Sequence, residues 1–176
     1  NEPLKALSLE TFRAEFMGRN FGVPCEFLAY ERPPTWTFDH ALAVSMLHDV
    51  RVRPCGLMTL EKMAPIWDAM TRFDVSAADW HPYWEAQPAA TAQPSSVKVS
   101  LYAHTATFWE KGRVLLVVAN LSPDQAVTAQ VAVSPARLGT KARTARDALS
   151  NALLSQAGGK IAVPLDPMRM RLVWVE

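Results

Sequence analysis

The residues with chemical potential gather in a few places. The densest is Tyr30, Glu31, Arg32, Pro33, Pro34, Thr35 and Trp36, where an acid and a cation stand between two aromatic rings. Such a loop suits a sugar, because aromatic faces stack on pyranose C–H surfaces while the polar groups bond hydroxyls. A surface salt bridge beside a proline-stiffened loop explains the same residues. Arg53 closes the short apolar-basic stretch 50–54, and His48-Asp49 just before it resembles an acid–base pair. A helix-end histidine beside a carboxylate is more often a cap and ion pair than a catalyst. His40 and His48 have no ligand spacing with Cys25 or Cys55, so neither a metal nor another cofactor is expected. Trp80, His81, Pro82, Tyr83 and Trp84 form an aromatic cluster, read either as glue between domains or as the wall of a sugar subsite.

The elements that would position these groups follow from periodicity. Residues 8–20 read as a helix capped by Ser8, with Leu9, Phe12, Phe16 and Met17 at helical spacing. Residues 23–30 read as a strand, and Pro33-Pro34 forces a loop. Thr37 is positioned to cap a second helix with a broad apolar stripe; 50–54 reads as a second strand, and Thr59 opens a third helix with Pro65 near its beginning. Helices alternating with strands imply a parallel pairing. Two parallel strands cannot cover both their faces. Residues 1–86 are therefore expected to be the last strand–helix units of a (β/α)₈ barrel, with the earlier strands upstream in the same polypeptide. The start at Asn1, inside an apparent helix, fits that expectation. At the C-terminal ends of the barrel strands, where barrels place function, stand Tyr30, Glu31, Arg32 and Trp36 for the first strand and Arg53 for the second. These five are the candidate substrate-binding residues.

Residues 87–96, QPAATAQPSS, are poor in large apolar side chains and read as a linker. Beyond them the period becomes two. Val97, Val99 and Leu101 alternate with polar partners, as do Val127, Ala129, Val131 and Val133. Val114–Val118 is an unbroken apolar run between Gly112 and the turn Ser122-Pro123-Asp124, which reads as a central strand buried on both faces. Residues 145–154 fit either a strand or a short helix, and 160–165 and 170–175 fit strands. Residues 97–176 are thus expected to form an antiparallel β-sandwich. The fold class is α/β plus all-β. Asn120, Ser122 and Asp124 read as a turn, and His104, Trp109 and Lys111 as an ordinary hairpin.

The totals narrow the classes. The apolar fraction of 49% supports a sizeable core, and a net charge of +1 gives no field to recruit nucleic acid or an anionic membrane. No apolar stretch approaches the roughly 18 residues of a bilayer-spanning helix. Cys25 and Cys55 are too few for a disulfide framework and leave the compartment open.

The series FRAEFMGRNFGVPCEFLAY, MLHDVRVRP, IWDAMTRFDVSAADWHPYW, VKVSLYAH and RVLLVVANLS resembles the C-terminal part of bacterial glycoside hydrolase-like proteins, family 123 and related chains. The strand–turn VLLVVANLS also resembles the C-terminal sandwiches of amylase-like glycosidases. The resemblance implies a (β/α)₈ barrel flanked by β-sandwich domains, and hydrolysis of glycosidic bonds, N-acetylhexosaminides among them, by a substrate-assisted route. Such chemistry needs two carboxyls, or one carboxyl and a substrate acetamide, around the scissile bond. In the family the acidic pair belongs to a middle barrel strand with no counterpart here, so the catalytic residues are expected upstream. The partners implied are a carbohydrate substrate and the upstream part of the polypeptide. The alternative is a non-catalytic carbohydrate-binding or structural β-sandwich module.

Overall fold

In the computed structural model the described residues are 9–15, 26–28, 37–53, 60–105, 112–138 and 144–176. Among them, the N-terminal part runs α1 (Leu9–Glu15), β1 (Glu26–Leu28), α2 (Phe38–Met46), β2 (Arg51–Arg53) and α3 (Leu60–Phe73). β1 and β2 pair in parallel, with Glu26 opposite Arg51 and Leu28 opposite Arg53. The helix–strand alternation of the sequence is therefore realised.

The rest is mostly sheet: β3 (Asp79–His81), β4 (Ala90–Gln93), β5 (Val97–His104), β6 (Arg113–Asn120), β7 (Val127–Val133), a short α4 (Pro135–Leu138), β8 (Ala145–Asp147), β9 (Gln156–Ala157), β10 (Lys160–Leu165) and β11 (Met170–Val175). One antiparallel sheet has the order β3-β5-β6-β11-β8 and the other β4-β7-β10-β9. β6 lies at the centre of the five-stranded sheet, as its apolar run requires.

Because neighbouring strands pair in register, the residues of β6 sort cleanly between two cores. Leu101, Leu116 and Val173 stand opposite one another, as do Val99 and Val118. They meet Ala129, Val131, Ile161 and Val163 of the other sheet in one buried cluster, which is the interior of the sandwich. The alternate row, Trp80, Tyr102, Leu115 and Trp174, faces the opposite way. With Val117 and Leu172 it packs on Phe38, Leu42 and Met46 of α2 and Met63, Ile66, Met70 and Phe73 of α3. The five-stranded sheet is thus a middle layer, with helices on one face and a sheet on the other.

Some local readings change. Residues 90–93, within the tract whose composition reads as a linker, form β4 and pair with β7 from Ala90–Val133 to Gln93–Gln130. Small side chains suffice there, because main-chain hydrogen bonds hold the strand and only Ala90 is fully buried. β3 and β4 belong to different sheets, so both sheets draw strands from before residue 97. Pro65 lies in the interior of α3 rather than at its start. Its ring is exposed, at the flank of the buried stripe. Residues 145–147 resolve as strand, bonded to β11. Thr37 has extended backbone at the start of α2 but makes no side-chain capping bond.

Both helices that lean on the sheet end in the same way. Val50 N–H bonds the Ser45 carbonyl and Asp49 N–H that of Met46; Val75 N–H bonds the Met70 carbonyl and Asp74 N–H that of Thr71. This is the paired-bond C-terminal motif in which one residue turns left-handed. Asp49 (φ 57°) and Asp74 (φ 59°) occupy the position glycine usually takes. Aspartate tolerates that region better than most residues, since its side chain bonds locally.

Candidate functional site

Tyr30, Glu31, Arg32 and Trp36 lie outside the described residues, as do Cys25 and Cys55 and the side chain of Arg53. The backbone places Arg53 opposite Leu28 at the carboxyl end of the parallel pair. Leu28, two positions before Tyr30 in sequence, thus stands beside Arg53.

The titratable groups brought together inside the described structure surround His48. The C-terminal turn of α2 carries His48 and Asp49 onto the helix-facing side of the five-stranded sheet. Ser100 on β5 fixes the turn there: its hydroxyl donates to the Leu47 carbonyl at 2.8 Å and accepts from Tyr83 N–H at 3.1 Å. Tyr102, also on β5, donates its phenol proton to the Asp49 carboxylate at 2.6 Å. Asp49 is therefore held by the sheet rather than by His48.

His48 is fully buried. Its Nδ1 stands 2.7 Å from the Val44 carbonyl and its Nε2 3.3 Å from the Tyr83 hydroxyl. A carbonyl only accepts, so Nδ1 carries the proton and Nε2 accepts from Tyr83. The ring stacks on Trp84 at 5.3 Å (27° between planes) and tilts against Phe12 of α1 at 4.8 Å. Arg13 of the same helix lies over Trp84, 4.6 Å from the ring centroid. Burial pushes His48 below the ordinary histidine pKa; the bond to Val44 opposes this, and the Arg13 charge adds to it. Burial likewise pushes Tyr83 up to about 12, with Arg13 opposing and Glu10 reinforcing. An uncharged, doubly bonded imidazole with no substrate-accessible face is a poor general base. His48 and Asp49 engage different partners, His48 the Val44 carbonyl and Tyr83, Asp49 the Tyr102 hydroxyl.

The aromatic cluster joins the parts of the chain. Trp80 and Tyr83 pack on the core shared by the helices and the sheet. Trp84 meets Trp80 at 5.6 Å and Tyr83 at 4.8 Å, both edge-on. The indole N–H groups of Trp80 and Trp174 are buried without a partner among the described residues, so these rings contribute as apolar bodies. His81 and Arg137 both engage the Glu85 carboxylate, at 3.2 and 3.0 Å. His104 donates to the Phe73 carbonyl at 2.8 Å, tying β5 to the end of α3.

Among the described residues an open hollow of about 270 Å³ lies over β7 and β10, lined by Val127, Thr128, Pro164, Leu165, Asp166 and Arg171. A smaller one of 40 Å³ is lined by Arg72, Phe73, Arg113 and Trp174. Arg72 there is already engaged by Asp68, by the Ala148 carbonyl and by the Trp174 face. Among the described residues, no group of three His, Cys, Asp or Glu side chains could hold a metal ion, and no helix is long and apolar enough to cross a membrane.

The burial of His48 was not legible from its neighbours in sequence, since its partners come from α1 and the Tyr83-Trp84 segment. A usable signal was present in the repeat of Asp-Val after an apolar helix, at 49–50 and again at 74–75. A scan against protein-family models and a search of curated proteins return no match.

Proposed function

We propose that this chain is the C-terminal scaffold of a glycoside hydrolase-like protein: closing strand–helix units of a (β/α)₈ barrel seated on a β-sandwich. The observation that carries the reading is the parallel pair β1–β2 with α2 between its strands, attached through α2 and α3 to one face of the five-stranded sheet. A parallel pair needs cover on both faces and further strands beside it, and a barrel supplies both. At the carboxyl end of the pair, the end at which barrel enzymes bind substrate, Leu28 stands beside Arg53, and Tyr30 follows two residues on in sequence. Tyr30, Glu31, Arg32, Trp36 and Arg53 are assigned to carbohydrate binding, and the catalytic acids to the upstream polypeptide.

The alternative, a structural sandwich module, is favoured by the outer face of the four-stranded sheet. That face presents Thr91, Gln93, Thr128, Gln130 and Lys160, with no aromatic ring on which a sugar could stack. The test is hydrolysis of chromogenic N-acetylhexosaminides and related glycosides. The chain alone is expected to be inert, and the polypeptide extended upstream to turn substrate over, with Arg53→Ala raising KM. Turnover by this chain alone would overturn the assignment, as would an extended polypeptide that neither cleaves nor binds any glycan.

A further inference from the structure

Protonation of a residue buried among aromatic rings has to be relieved by some movement, and the packing around His48 indicates which one. Three segments close over the ring. α1 contributes Phe12 and Arg13, with Glu10 one turn away; residues 83–84 contribute Tyr83 and Trp84; α2 contributes the Val44 carbonyl. The charged and titratable groups that surround it are therefore Arg13 and Glu10 from α1, Tyr83 from the aromatic segment, and Asp49 from its own turn. Asp49 is engaged by Tyr102, and His81 and Glu85 farther along are engaged with each other. Among the described residues the imidazole nitrogens face the Val44 carbonyl and the Tyr83 hydroxyl, and the cation beside its aromatic surroundings is Arg13.

α1 is a closure that belongs to no sheet. Over Leu9–Glu15 it buries Phe12 completely. A single helix depends on its docked face for most of its stability. The other two closures are anchored in sheet, through Ser100 and through β3.

We propose that His48 is the pin of an acid-released clasp: the neutral imidazole fastens α1 over the Tyr83-Trp84 segment, and the imidazolium ejects α1 while the sandwich stays folded. The movement removes both Phe12 and Arg13, so it admits water to the ring and withdraws the like charge in one step. None of the described strand pairs includes a residue of α1. This device is independent of any role in sugar cleavage.

Linkage sets the size of the effect. A histidine depressed in the closed form favours closure fully above its ordinary value of 6.5 and progressively less as the pH falls. One proton taken up on opening raises the opening constant by at most about tenfold per pH unit below that value. The experiment is amide hydrogen exchange of the whole chain at about pH 7.5 and about pH 5.5, corrected for intrinsic exchange, comparing residues 9–15 with β6. Protection of α1 is expected to fall, by up to about tenfold, while that of β6 holds, and His48→Gln is expected to abolish the difference. Should His48→Gln not fold, Arg13→Gln is the second arm, since removing the like charge narrows the pH response of α1. The proposal is overturned if α1 and β6 lose protection together. It is equally overturned if the pH response of α1 persists unchanged in His48→Gln, or, in its place, in Arg13→Gln.

Discussion

Leu115 and Leu116 are adjacent on the central strand, equally buried, and point into different cores. Replacing each by alanine separately asks whether the helical layer is as much a part of the folded unit as the sandwich interior. Leu115 stands between Tyr102 and Trp174 beneath α2 and α3; Leu116 stands between Leu101 and Val173. The lost transfer free energy of the side chain, at about 0.8 kcal/mol per methylene, and the residual cavity together give about 3 kcal/mol for either change. At about 2–4 °C per kcal/mol for a chain of this size, that is a drop of about 6–12 °C in Tm. The assay is urea unfolding followed by far-ultraviolet circular dichroism and tryptophan fluorescence. Both variants should show one transition, shifted by similar amounts. If Leu115→Ala costs less than about 0.5 kcal/mol, the size of an ordinary surface change, while Leu116→Ala costs the full amount, the helices do not cover that face. The three-layer arrangement would then be refuted.

Two further outcomes follow from individual contacts. Asn120 is fully buried, donates to the Gln125 and Asp166 carbonyls, and accepts from Ser122 N–H. Asn120→Ala should cost about 1–3 kcal/mol in urea unfolding, and a loss under about 0.5 kcal/mol would show that water replaces those bonds freely. Tyr83, held protonated up to about 12 against an ordinary value of 10.0, contributes stability that is full below pH 10 and is lost as the pH rises through 12. Tyr83→Phe should remove that alkaline decline, and an unchanged stability profile between those limits would assign the decline to other groups.

The strands were the most legible elements. The strands read at 160–165 and 170–175 match β10 and β11 to the residue; β10 buries every second side chain, whereas β11, in the middle layer, buries Leu172 and Val173 on opposite faces. The tract 87–96 misled because composition reports side chains, whereas β4 is held by its backbone. Helix ends were harder: Asp49 and Asp74 do the work that a glycine would have announced. Of the site, the aromatic group at 80–84 was readable as glue, but its contacts with His48 join residues 35 positions apart. The sugar-loop residues Tyr30, Glu31, Arg32 and Trp36 lie outside the described residues.

By itself the sequence determined that Val114–Val118 is a strand with no solvent face, since an apolar run between turn residues leaves no polar side to expose. It did not determine what covers each face. A period of two assigns alternate side chains to opposite sides, but it carries no information about the occupant of either side. Only the tertiary structure decided that helices cover Leu115 and a second sheet covers Leu116. It likewise decided that His48 is neutral, because burial and the Arg13 charge are supplied by residues distant in the chain.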